Sequence, residues 1–138
     1  MTGIVVDASV ALAWCFPDEA SEYADGVLVA LEGQMVIVPA IWALEITNAL
    51  SVGERRKRLR QPDIRRFVEL LRGLTIAEHS QVIADTAINV LPLAREYGLS
   101  AYDAAYLDVA VRQGAPLATL DSALQKAGRS AGIKIFKA

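Results

Sequence analysis

The run Ile4-Val5-Val6-Asp7 constrains this chain more than any other. Three β-branched residues in a row, with no polar alternation, predict a strand buried on both faces. Such a strand belongs inside a sheet covered by helices above and below. Met35-Val36-Ile37-Val38 is a second run of this kind, ended by Pro39. Shorter apolar runs recur at Leu74–Ala77, Pro116–Thr119 and Ile133–Phe136. Between them lie stretches of helical composition: Ala8–Phe16, Ala20–Glu32, about Ala40 to Arg56, Pro62–Gly73, Gln81–Tyr97, Ala101–Gln113 and Ser122–Gly128. Gly33, Gly98 and Gly114 are stop signals, Pro62 suits a first helical turn, and Pro92 is a possible kink. Strands alternating with helices predict an α/β fold with a central parallel sheet of five strands and helices on both faces.

The 138 residues fit one domain, 1–138. No repeat, linker or low-complexity tract divides them. The apolar content of 54% suits a sheet covered on both faces. The net charge of −2 argues against a protein that coats nucleic acid by bulk charge. Cys15 is the only cysteine, so no internal disulfide forms and nothing indicates an oxidising compartment. The start lacks a basic segment followed by a long apolar core, and the longest apolar run, Met35 to Leu44, is broken by Pro39 and too short to span a bilayer. The expectation is a cytoplasmic protein with no membrane partner.

Four acids stand out. Sites in open parallel sheets form at the carboxyl ends of strands, where the winding reverses. Asp7 follows the first strand, and Asp121 follows the fourth in Leu117-Ala118-Thr119-Leu120-Asp121. Glu45 interrupts the otherwise apolar helix Ala40–Leu50 and shares a face with Asn48, three residues on. Asp103 lies in the first turn of the helix that starts Ser100-Ala101-Tyr102-Asp103. Each has a purely structural reading. Asp7 and Asp121 fit helix N-caps, Ser100 with Asp103 has the spacing of a capping box, and Glu45 fits a solvent-facing stripe.

Taken together, the four point to one end of one sheet. Two carboxylates about 6 Å apart repel by about 3 kcal/mol at an effective dielectric of about 20. A cluster of four therefore calls for protons or a cation. Hard oxygen donors suit Mg²⁺ or Mn²⁺. Zinc is disfavoured, because His79 and Cys15 are single and far apart. A carboxylate-held Mg²⁺ is the chemistry of phosphate sites, and the lack of a Gly-rich Lys-Ser/Thr loop favours phosphodiester hydrolysis over use of a nucleoside triphosphate.

The basic residues are concentrated. Seven of the fourteen Lys and Arg fall in residues 53–66: Arg55, Arg56, Lys57, Arg58, Arg60, Arg65 and Arg66. They read either as a solvated helix end or as a patch that tracks phosphates, with Arg55, Arg56, Lys57, Arg58 and Arg60 as candidate RNA contacts. A non-catalytic module that grips RNA or a partner through segment 55–66 is the alternative to an enzyme. A haloacid-dehalogenase-like phosphatase fits less well, since Ser9 stands where that family has a second Asp. A receiver domain wants an acidic pair after the first strand and an Asp after the third, where this chain has Glu78-His79-Ser80.

The assembled residues resemble a known family. Val5-Val6-Asp7-Ala8-Ser9, Glu45 with Asn48, Ser100-Ala101-Tyr102-Asp103-Ala104-Ala105-Tyr106-Leu107 and Thr119-Leu120-Asp121 are similar, in order and spacing, to PIN domains of the VapC toxin ribonuclease type. The resemblance implies a three-layer fold with strand order 3-2-1-4-5. It implies Asp7, Glu45, Asp103 and Asp121 as catalytic residues and ligands of Mg²⁺ or Mn²⁺, with Ser9, Asn48 and Thr119 in support. It also implies RNA as substrate, a homodimer, and a VapB-type antitoxin that blocks the site. The apolar Ala11, Leu12, Trp14, Cys15 and Phe16, ahead of Pro17-Asp18-Glu19, form a plausible docking surface for it or else belong to the core.

Overall fold

A computed structural model of the chain describes residues 2–138. The elements follow in the order β1 (Gly3–Val6), α1 (Ala8–Ala13), a 3-10 turn (Pro17–Glu19), α2 (Glu22–Ala30), β2 (Met35–Pro39), α3 (Ile41–Arg55), α4 (Gln61–Arg72), β3 (Thr75–His79), α5 (Ile83–Tyr97), α6 (Ala101–Gln113), β4 (Leu117–Ala118) and α7 (Ser122–Ser130). Pro92 lies inside α5, which is continuous through it. The strands form one parallel sheet in the order β3-β2-β1-β4. Ile4 stands opposite Val36, and Val6 opposite Ala118.

Ile4, Val5 and Val6 are all buried, as are Val36, Ile37 and Val38. Side chains alternate between faces along a strand, so both faces of the sheet centre are covered. The core gathers Val10 and Ala11 of α1, Trp42 and Ile46 of α3, Tyr106, Leu107 and Val109 of α6, and Leu124 and Ala127 of α7. β1 has β2 on one side and β4 on the other, so the chain winds in opposite directions from it. The crevice of such a reversal opens at the carboxyl ends of β1 and β4.

The fifth strand is not formed. Ile133–Phe136 does lie beside β4, where a fifth strand is expected, but a single bridge joins Leu117 to Ile135. The Leu117 N–H donates to the Lys134 carbonyl at 2.9 Å, and the Phe136 N–H donates to the Leu117 carbonyl at 2.8 Å. β4 runs for only two residues, so its neighbour finds little edge to pair along. The sheet is four-stranded, in the order 3-2-1-4.

Phe16 is core and not docking surface, and so is Ala11. The Phe16 ring packs so closely on α3 that a Cβ on Gly53 would stand 2.8 Å from it. The Arg58 guanidinium covers the ring, 4.3 Å from its centroid, and pairs with Asp18 at 2.9 Å and Glu19 at 2.8 Å. Leu12, Trp14 and Cys15 are half-buried, and the Trp14 Nε1–H donates to the Ala24 carbonyl at 2.8 Å. Burial pushes the Cys15 thiol up to about 11, with the charges of Asp63 and Glu19 adding to it. It is therefore protonated and unreactive at neutral pH.

α3 ends in a Schellman motif. The Arg58 N–H donates to the Gly53 carbonyl at 2.8 Å, and the Lys57 N–H donates to the Glu54 carbonyl at 3.1 Å. The motif requires a left-handed residue, and Lys57 supplies it at φ 60°. A side chain there is unfavourable by roughly 1–2 kcal/mol, which glycine relieves. Lys57→Gly should therefore raise the unfolding free energy by about 1 kcal/mol, after the entropy lost by glycine. The readout is a higher urea midpoint at unchanged slope. A lower midpoint would show that the Lys57 side chain stabilises the turn.

Candidate active site

The site is built where three helices begin. Asp7 leaves the end of β1 and caps α1, its Oδ1 accepting from the Val10 N–H at 3.2 Å. Asp121 leaves β4 by way of Thr119 and caps α7, its Oδ1 accepting from the Ala123 N–H at 2.9 Å and the Leu124 N–H at 3.4 Å. Ser100 caps α6, its hydroxyl accepting from the Asp103 N–H at 3.1 Å. All three caps are therefore formed, that of Ser100 without the return bond of a full capping box. They also account for the site, because a cap fixes the carboxylate or its helix at the strand ends.

Asp7 is the buried member, 6% exposed. Ser9 donates its hydroxyl to Asp7 Oδ1 at 2.6 Å, and Thr119 donates its own to Oδ2 in a very short bond. These two hydroxyls accept in turn, Ser9 from the Leu120 N–H at 3.1 Å and Thr119 from the Asp121 N–H at 3.0 Å. The loop that carries Asp121 is thus fastened to the acid that follows β1. Ser9 and Thr119 thus both hydrogen-bond the Asp7 carboxylate. Asn48 is exposed on α3 and stands outside this network.

Glu45 is half-buried on α3, and Tyr106 donates its phenol to Glu45 Oε1 in another very short bond. Tyr106 is 1% exposed, and burial with the Glu45 contact holds its hydroxyl far above the ordinary tyrosine range. It stays a proton donor at every working pH. Tyr106 is the residue that sequence reasoning quoted without giving it a role. Its signal was its place three residues after Asp103, on the same helical face.

The acids act on one another. Burial raises the Asp7 carboxyl above the ordinary carboxylate range, against the bonds from Ser9, Thr119 and Val10, and the charge of Asp103 raises it further. Asp103 is raised by burial and then by the charge of Asp121, with Ser100 pulling the other way. The three aspartates therefore share one field. Among the described residues, no three Asp, Glu, His or Cys side chains stand close enough to cage a metal ion unaided. The donor set still fits Mg²⁺ or Mn²⁺, because Mg²⁺ keeps several waters and takes only one or two carboxylates. One or two of Asp7, Glu45, Asp103 and Asp121 would hold it, with water completing its shell.

The basic segment is divided. Arg58 is committed to Asp18, Glu19 and Phe16, and Arg66 pairs with Asp63 at 2.6 Å. Arg55, Arg56, Lys57 and Arg60 are exposed. At 1.5 Å per residue, Arg55 lies about 15 Å along α3 from Glu45. These cations are not part of the acid site itself.

A carboxyl whose native pKa is raised binds its proton more tightly in the folded state. Its stabilising contribution is complete below the unfolded value of about 4 and is lost as pH rises through the native value. The raised Asp7 and Asp103 carboxyls therefore make the fold less stable at neutral pH than in acid. Asp7→Asn should melt higher than the parent at pH 7 in chelator, with the difference closing in acid. A variant that melts lower at pH 7 would show that the bonds to the carboxylate outweigh its desolvation.

Comparison with known proteins agrees with this geometry. The PIN domain family model matches residues 4–130. Ribonuclease VapC3 of Pyrobaculum aerophilum is 32% identical over 125 residues, covering 88% of this chain and 91% of its own. The crystal structure of PAE2754 from the same organism superposes with a TM-score of 0.68 at 26% identity, covering 91% of this chain and 79% of that one. The FitAcB structure from Neisseria gonorrhoeae shares the fold, with a TM-score of 0.61 at 20% identity over 97% of this chain and 96% of that one. With Asp7 and Asp121 at the β1–β4 switch point and the match running almost end to end, the chain belongs to the PIN domain family, in its VapC ribonuclease branch.

Proposed function

We propose that the protein is a Mg²⁺- or Mn²⁺-dependent endoribonuclease toxin that hydrolyses RNA phosphodiester bonds. The observation that carries this reading is the fastening of Asp121 to Asp7 through Thr119 and Ser9 at the sheet's switch point, with Asp103 in the same field. The relation to a ribonuclease supports the substrate class. A VapB-type antitoxin, a homodimeric state and a cytoplasmic location belong to the same proposal. Among the described residues, no helix is long and apolar enough to cross a membrane.

When bound, the divalent ion would polarise a phosphoryl oxygen and make a water more acidic. The chain supplies the rest. Asp7 is immobilised by three hydrogen bonds, so its carboxylate is a rigid ligand mount. Tyr106 fixes Glu45 at Oε1 and orients it from inside the core. Asp103 is half-buried and more basic than an ordinary aspartate, which suits its carboxylate to take the proton of the attacking water.

Cleavage of a labelled RNA with added Mg²⁺ should give discrete fragments, and chelation should stop it. Asp7→Asn should lower the rate at least 100-fold while the protein stays folded. Tyr106→Phe, which frees Glu45 without removing a ligand, should lower it less. An Asp7→Asn protein that cuts at the parental rate would contradict the proposal.

A further inference from the structure

A groove of about 1070 Å³ runs between α7, Tyr23 of α2 and the segment 132–138 beside β4, whose Ala138 packs against Gly26 of α2. Arg129, Lys134 and Lys137 line it, and no acidic side chain does. All three cations are exposed, and none takes part in an ion pair among the described residues. In a chain of net charge −2, three unpaired cations on one concavity make a local positive field. The groove also offers two half-buried rings, Tyr23 and Phe136. The Tyr23 hydroxyl donates to the Phe136 carbonyl at 2.7 Å, which holds the two segments together.

The groove adjoins the acid site through Gln125, which lines it. Asp121, Gln125 and Arg129 recur every four residues along one face of α7. Gln125 Nε2 donates to the Thr119 carbonyl at 2.8 Å, and Thr119 is the residue whose hydroxyl holds Asp7. The Tyr23 hydroxyl, raised mainly by burial, is within reach of the charges of both Asp7 and Arg129. Cations that follow a backbone beside rings on which bases stack are the surface of a single-strand binder.

We propose that this groove is the path by which single-stranded RNA reaches the acid site, with Arg129, Lys134 and Lys137 on phosphates and Tyr23 and Phe136 against bases. The inference rests on the ribonuclease reading above and adds the route of its substrate. It places phosphate contacts on α7 and the segment after it, and not on the Arg-rich turn after α3.

The test uses the full chain in chelator, so that RNA binds without being cut, and follows the fluorescence anisotropy of a labelled single-stranded RNA. The variants are Arg129→Ala/Lys134→Ala/Lys137→Ala and, as a charge-matched control, Arg55→Ala/Arg56→Ala/Lys57→Ala. A third, Arg129→Lys/Lys134→Arg/Lys137→Arg, keeps the charge and checks the fold. The groove variant should bind at least tenfold more weakly, while the control and the charge-preserving variant stay within threefold of the parent. Its salt dependence should flatten by about 2, since each of three phosphates contributes about 0.7 to the slope on a single strand. Parental binding by the groove variant, or an equal loss in the control, would overturn the proposal. So would a groove that takes up polyglutamate and not RNA, which would mark it as a site for an acidic protein segment. Metal-dependent cleavage by the parent with no loss of binding in the groove variant defeats the path alone. A parent that neither binds nor cuts RNA defeats the ribonuclease reading and the path with it.

Discussion

A buried carboxyl at the joint of β1 and β4 governs this structure. Asp7 is enclosed where the sheet reverses its winding, and its carboxylate accepts from the backbone of α1 and from the hydroxyls of Ser9 and Thr119. Three donors would ordinarily lower a carboxyl's pKa. Desolvation outweighs them here, and the neighbouring Asp103 adds to the imbalance. The fold therefore carries an electrostatic cost at neutral pH that its own hydrogen bonds do not remove. The sheet around it, covered on both faces, is what makes that cost tolerable. A divalent cation is the simplest agent that would offset it.

The helix caps show why structural and chemical readings of these residues coincide. Asp7, Ser100 and Asp121 start α1, α6 and α7, and each satisfies a backbone donor that the helix leaves free. Helix starts also carry partial positive charge, which favours carboxylates placed there. Three helices that open toward one point thus hold acids whose charges would otherwise separate them. The Thr119 hydroxyl links two of the caps, since it donates to Asp7 and accepts from the Asp121 backbone.

Local chemistry made most of the fold readable in the sequence. The β-branched runs at Ile4–Val6 and Met35–Val38 are buried strands, and the stops at Gly98 and Gly114 are left-handed helix ends at φ 64° and 59°. What was not legible depends on distant partners. Ile133–Phe136 has a strand's composition, but pairing requires a neighbour, and β4 offers two residues. Arg58 looks like any other cation of its cluster until the fold brings Asp18 and Glu19 beside it from forty residues away. Phe16 looks like part of an exposed apolar face, yet it fills the space left by the missing side chain of Gly53. Asp7 and Asp121 were legible because they follow strand ends, whereas Ser9 and Thr119 came into view only through the resemblance to PIN domains. Asn48 shares a face with Glu45 but is exposed, and Tyr106 emerged as the partner of Glu45 only with the packing of α6 against α3.

The central proposal is that a divalent cation binds at these acids and offsets the cost of burying them. The most direct measurement is the melting temperature at neutral pH as MgCl₂ is raised, with KCl adjusted to hold ionic strength constant. A ligand that binds only the folded state raises stability with the logarithm of its concentration above Kd. The account predicts a progressive rise in melting temperature with Mg²⁺, lost in Asp7→Asn and in Asp103→Asn. A melting temperature that follows ionic strength alone, identical in the parent and both variants, would contradict it.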